Sequence, residues 1–269
     1  MIRVTVWNEN IQENGTKFMP PELLNSNDER AQFFKKFLEE NMADIRKIHP
    51  NRIHNTLKGI LDEEEDMVVR TVTLDMPECG LTQEVLDDTD VLLWWAHIGH
   101  EKVPDEIAFR VRDAVLKGMG FIPLHSAHPC KPLQMLLGTS GSLQWREGDR
   151  CRVWNTCPTH PIAQGIPAYF ELPEEEMYGE YFDIPKPDDQ VFISWFAGGE
   201  VFRSGCTWTR GYGKIFYFQP GHETQGSYLI PEVRQIIKNA VRWAMPTMRR
   251  DNLDCPHAQE KPEAKWANK

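Results

Sequence analysis

Over its first 125 residues the chain alternates short β-type runs with helical periodicity, and that alternation leaves few folds open. Runs rich in β-branched and aromatic residues predict strands at Ile2–Trp7, Met67–Leu74, Asp90–Trp95 and Gly120–Leu124. Between them, apolar residues at 31, 34, 37, 38, 42, 45 and 48 give a helical face over Asn27–Ile48, with Asn27 or Asp28 as N-cap. A second helix is predicted over Arg52–Leu61. A third starts at Pro104 and buries Ile107, Val111, Ala114, Val115 and Met119. Strands separated by helices imply βαβ units, hence parallel strands with helices on both faces. From Ser140 to Tyr217 the pattern changes to short strands at Gly141–Arg146, Cys151–Asn155, Gln190–Phe196, Glu200–Trp208 and Lys214–Phe218. The last two form a hairpin through Arg210–Gly213. A final helix over Pro231–Ala244 closes a single domain spanning residues 1–246. The polar tail 247–269 is expected to be mobile or to lie on a partner. The acidic runs Asp62–Asp66 and Glu174–Glu176 are expected in solvated loops.

Charge narrows the partners. Lys+Arg 30 against Asp+Glu 40 gives a formal charge of −10 with no basic block, which argues against nucleic acid or an anionic membrane surface, because both demand a concentrated positive field. The longest apolar runs, such as Val91–Ala96, fall far short of the ~20 residues of a spanning helix. The N-terminus enters a β-type run without the pattern of an export signal, so a cytoplasmic location is expected. Six cysteines, at 79, 130, 151, 157, 206 and 255, lack the spacing of a zinc knuckle or redox pair and are expected to be reduced.

In a doubly wound sheet, ligands sit beyond the carboxyl ends of the strands. The residues there are Asn8-Glu9-Asn10, His97 and His100, His125-Ser126-Ala127-His128 and, after the late strand, Gly221-His222-Glu223. Five of the chain's 9 histidines therefore fall just past strand ends, and they are expected to share one rim; His49, His54, His160 and His257 carry no such logic. Imidazoles beside carboxylates suit two chemistries: ligation of zinc or a similar divalent ion, and metal-free general acid–base transfer. Strand-end tryptophans Trp7, Trp94, Trp95 and Trp195 offer faces that suit sugar rings, with core packing as the ordinary alternative. Ser126 could serve as a nucleophile with His222 as base and Glu223 as orienter, but Leu124 and His128 stand where a nucleophile elbow needs glycines. Cys130 lies beyond the nucleophile position and is expected to be a buried thiol.

Val4–Glu9, Asp90–His97, Gly118–Ser126, Leu143–Glu147, Glu174–Glu180, Phe192–Phe196, Gly199–Gly205, Gly213–Phe218, Pro220–Glu223 and Asn239–Ala244 together resemble the trehalose-utilisation, or ThuA-like, family of the class I glutamine amidotransferase-like fold. The resemblance implies an α/β, flavodoxin-like three-layer sandwich with a mainly parallel central sheet and an additional β-hairpin region. It also implies a role in utilising trehalose or related disaccharides beside a sugar dehydrogenase. Amidotransferases carry cysteine at the elbow and a late His-Pro-Glu; here Leu124-His125-Ser126 and Gly221-His222-Glu223 stand instead, which argues against glutaminase chemistry. Typical members have a His-Glu pair soon after the first strand, whereas this chain has Gln12-Glu13 and a longer Asn14–Asn27 segment. The expected site has Glu9, His125, His222 and Glu223 as catalytic groups and His97, His125 and His222 as ligands of one divalent ion, zinc favoured. Trp7, Asn8, Trp95, His100, Ser126 and His128 would contact a small-molecule sugar. No nucleotide cofactor is expected, and a homo-oligomer is. The alternative function is a non-enzymatic sugar sensor docking on a sugar dehydrogenase.

Overall fold

The computed structural model describes residues 1–15, 19–255 and 257–266. Residues 16–18 of the Asn14–Asn27 segment, and 256 and 267–269 of the tail, lie outside the described residues. Along the chain the strands are β1 (Ile2–Asn8), β2 (Met67–Thr73), β3 (Val91–Trp95), β4 (Gly120–Leu124), β5 (Gln144–Asn155), β6 (Tyr169–Gly179), β7 (Asp189–Phe196), β8 (Val201–Arg210) and β9 (Gly213–Phe218). The helices are α1 (Ile11–Asn14), α2 (Pro21–Leu24), α3 (Glu29–Ile48), α4 (Ile53–Leu61), α5 (Gln83–Asp87), α6 (Asp105–Leu116), α7 (Lys131–Leu137) and α8 (Pro231–Ala244).

One nine-stranded sheet has the order β2-β1-β3-β4-β9-β8-β7-β5-β6. The first five in that order are parallel, with Val4 level with Val69 and Val91, and Phe121 level with Ile215. From β9 to β6 every pairing is antiparallel. This corrects the expectation of a mainly parallel sheet: β5–β6, β7–β8 and β8–β9 are successive antiparallel neighbours, β7 returns to pair with β5, and this half extends the parallel one through β9 rather than standing beside it. The β8–β9 hairpin forms as predicted, and its turn residue Gly211 has φ 58, with Leu116 O lying 2.5 Å from where a Cβ would sit.

The helices follow from the sheet order. Chain progression reverses at β1, so right-handed crossovers send α4 to one face and α5 and α6 to the other. Helix α8 shares α4's face, packing on α4, β4 and β9, while α5, α6 and α7 are neighbours. Helix α8 buries Val233, Ile236, Ile237, Ala240, Val241 and Ala244 at the predicted spacing, with roughly 2 kcal/mol for each branched aliphatic removed from water. Among the described residues no helix is long and apolar enough to cross a membrane.

Two local expectations change. Gly141–Arg146 and Cys151–Asn155 belong to one strand, β5, whose register shifts between Arg146 and Cys151 conceal its continuity. Glu174–Glu176 is not a solvated loop: it lies in β6, with Glu175 fully buried and Glu176 nearly so. The tail starts on the body, where Arg249 bonds the Thr89 carbonyl and Asp90, and the Arg250 amide donates to Lys117 O at 2.9 Å.

Candidate functional site

Three loops at the carboxyl ends of β3, β4 and β9 bring His97, His125 and His222 together. Their ring centroids are 5.3 Å apart for His97–His222, 5.2 Å for His125–His222 and 6.0 Å for His97–His125. His125 follows β4 directly at φ 50, a left-handed conformation that costs a non-glycine residue about 1 kcal/mol. Three contacts hold it there: Nδ1 donates to Gln219 O at 2.8 Å, Tyr217 Oη donates to the His125 carbonyl at 2.9 Å, and the ring stacks on Tyr178 at 5.1 Å. With Nδ1 carrying its proton, Nε2 faces Glu176 Oε2 at 3.1 Å and Tyr178 Oη at 3.4 Å.

Carboxylates organise the rest. Glu223, fully buried, receives His97 Nδ1 at 2.8 and 2.9 Å, which fixes that ring and leaves Nε2 as its reactive atom. Burial works against charge on both partners, yet their mutual attraction wins: His97 is raised to about 9, and Glu223 is held well below the usual carboxylate range. Burial likewise opposes charge on His125, but Glu176 and Glu175 raise its pKa. Glu175 accepts from the amides of Gly221 at 2.8 Å and His222 at 3.2 Å, and from Ser227 Oγ at 2.6 Å, so strand β6 clamps the loop that carries His222. His222 Nδ1 accepts from the Thr224 amide at 3.2 Å, and its Nε2 lies 3.7 Å from Glu223 Oε2. Gly221, at φ 138, takes a conformation that favours glycine, and a Cβ there would fall 2.2 Å from Tyr228 Oη.

Ligand-capable atoms converge in two overlapping groups, His97–Glu176–His222 and His125–His222–Glu223, each with all three atoms within 4.8 Å of one another. On losing its proton, imidazole beside carboxylate in such triads suits zinc or a similar ion.

Several sequence-predicted site residues are placed elsewhere. Glu9 spends both oxygens on the Ile98 and Gly99 amides, at 3.0 and 2.7 Å, so it anchors the loop bearing His97 rather than facing the imidazoles; burial raises its carboxyl. Trp7 and Trp95 are sealed in the core and present no face to a sugar: Trp7 stacks on Trp94 at 3.9 Å and donates to Cys79 O, and Trp95 donates to Gly221 O. Asn8 is also buried, bonded to Glu13 and His54. Ser126 Oγ pairs with Tyr178 Oη at 2.7 Å, not with an imidazole, and burial pushes the Cys130 thiol up to about 12. Glu175, Glu176, Tyr178 and Gln219 are not assigned to the site by the sequence reading, which places Glu174–Glu176 in a solvated loop. The available signal was the apolar Met177-Tyr178 directly after the acidic run, which marks a strand rather than a loop.

A cavity of about 470 Å³ opens beside the centre, lined in part by His97, His100, Ser126, His128, Glu176 and Tyr178. A larger groove of about 710 Å³ lies between α5, α6 and Arg249–Asp251, but no histidine is among its described lining residues. The imidazole–carboxylate centre opens on the smaller one.

Fold and site define an α/β protein with an imidazole–carboxylate centre at the carboxyl edge of its parallel strands, walled on one side by an antiparallel extension. The chain belongs to the ThuA family, described as trehalose utilisation, whose model matches residues 28–244; β1 and Glu9 precede the matched span. No curated protein matches the chain. Among solved structures, a ThuA-like protein from Parabacteroides merdae aligns with TM-score 0.60 and 15% identity over 93% of this chain and 92% of its own. A second, from Bacteroides uniformis, aligns with TM-score 0.51 and 14% identity over 90% and 91%. A cytoplasmic protein from Salmonella typhimurium aligns with TM-score 0.52 and 14% identity over 71% and 86%. At such identities these likenesses show the fold alone.

Proposed function

We propose that the protein acts in carbohydrate catabolism on a disaccharide or its keto derivative, through the His97–His125–His222 centre and its glutamates. The observation that carries this reading, beside membership of a trehalose-utilisation family, is the convergence of imidazole and carboxylate atoms from separate loops within 4.8 Å. His97 and His222, with Glu176, or His125 and His222, with Glu223, would hold one divalent ion, zinc favoured. When bound, such an ion supplies Lewis acidity toward a sugar carbonyl or hydroxyl. Glu223 orients His97, Glu175 sets the loop of His222, and Gln219 fixes the tautomer of His125 so that its Nε2 is the atom that exchanges a proton.

Metal content of the purified protein, of His125→Ala and of His222→Ala tests the proposal. About one equivalent in the native protein, and loss of at least tenfold in His222→Ala, is expected because His222 belongs to both triads. Metal-free native protein whose sugar affinity survives both substitutions contradicts it. Calorimetry against trehalose and its oxidised derivatives beside a turnover assay separates enzyme from sensor. Affinity without turnover favours the second reading, a non-enzymatic sugar-binding subunit docking on a sugar dehydrogenase. The exposed Trp154–Tyr169 pair across β5 and β6 is the surface that favours that reading.

A further inference from the structure

One wall of the 470 Å³ cavity is built by β5 and the segment before it: Ser140, Ser142, Leu143 and Trp145. Trp145 is 62% exposed. An indole left in water forgoes roughly 2 kcal/mol of burial, so packing of the fold gives no reason for it. Its position is set by register. Trp145 stands directly opposite Tyr178 across the β5–β6 pair, so both side chains rise from the same face of the sheet. Tyr178 stacks on His125. The exposed ring is therefore the outer neighbour of the ring that contacts the centre.

The remaining lining is mostly polar, with Ile98 and Pro129 as its apolar members and with His97, paired with Glu223, and Glu176 as its charged groups. His128 Nδ1 donates to Gly141 O at 2.6 Å, which leaves Nε2 as an acceptor, and burial lowers this ring to about 3, so it is neutral. His100 lines the same cavity, with its Nδ1 shut off from solvent and without a hydrogen-bond partner. Ser142 adds a hydroxyl, while that of Ser140 donates to Asp183 and accepts from the Ser142 amide. Among the described lining residues there is no lysine or arginine, and the one carboxylate is Glu176. A phosphorylated sugar would meet no lysine or arginine, only the His97 imidazole already held by Glu223, and would approach the Glu176 carboxylate. A neutral sugar ring offers an apolar C–H face to indole and hydroxyls to imidazole and serine.

We propose that Trp145 is the stacking platform of a subsite that holds an unphosphorylated sugar ring against the histidine centre, with His100 and His128 meeting its hydroxyls. This rests on the sugar reading above. The platform sets specificity: it admits neutral disaccharides and disfavours their phosphate esters.

Calorimetric titration of the full-length protein with trehalose, its keto derivative and trehalose 6-phosphate tests the proposal in native protein, Trp145→Ala and Trp145→Phe. Because the indole is exposed, both variants should keep the native unfolding midpoint, which is checked in parallel. Native protein is expected to bind a neutral sugar at least tenfold more tightly than the phosphate ester. Trp145→Ala should weaken neutral-sugar binding roughly tenfold, and Trp145→Phe should recover part of the loss. Unchanged affinity in Trp145→Ala, or an ester that binds as well as the parent sugar, overturns the subsite while leaving the sugar reading in place. A native protein that binds none of the three overturns both.

Discussion

His125 shows how a single residue is held and aimed here. A strained backbone aims the ring, a carbonyl fixes one nitrogen, and a carboxylate and a phenol flank the other. The rim histidines were legible in the sequence because position after a strand is a local property. Glu175 and Glu176 were not, since their partners, at Gly221, His222 and His125, are tens of residues away and a run of acids read alone implies only hydration. A similar buried acid lies behind the site. Burial raises Glu13 to about 7 from 4.5, against acceptance of the Ile53 amide at 2.6 Å. The folded state thus binds this proton more tightly than the unfolded chain. The stability Glu13 contributes is complete below about pH 4.5 and is lost as pH rises through about 7. Glu13→Gln has no such loss, so its stability relative to native protein should climb by about 3 kcal/mol between pH 4 and pH 8 in urea unfolding; a difference that stays flat with pH refutes this.

At the scale of elements, regular periodicity was the legible quantity. Helices α3, α4, α6 and α8 and strands β1 to β4 fall within a few residues of their sequence-predicted bounds, because each buries one face at its own period. Helix α7 and the union of β5 escaped for different reasons: α7 is seven residues long, too short for a period to stand out, and β5 carries irregular pairing that breaks its alternation. Termination chemistry was readable too. Asp28 caps α3, its carboxylate accepting from the Arg30 and Ala31 amides at 3.0 and 3.1 Å. Asp28→Ala should lower stability by about 1 kcal/mol with an unchanged denaturant slope, while Asp28→Asn should retain most of it.

For the whole molecule, the winding of the parallel half followed from its crossovers, whereas attachment of the antiparallel half could not be read, since strand pairing is a long-range choice that hairpins alone leave open. The C-terminal segment is likewise part of the body where it begins. Arg249 ties it to the carbonyl of Thr89 and to Asp90, at the entry of β3. Arg249→Ala should reduce global stability by about 1 kcal/mol, read as a lower urea midpoint; an unaltered midpoint would mean that this segment merely rests there. The clamp of Glu175 on the Gly221–His222 amides has a consequence for exchange of parts between relatives. Because the anchoring acid and the loop it grips come from opposite sides of the β9 boundary, a chimera spliced at that boundary inherits a histidine tuned to a foreign strand. Functional recombinants should therefore keep β6 and the Gly221–Ser227 loop from the same parent, whichever parent supplies the flanking helices.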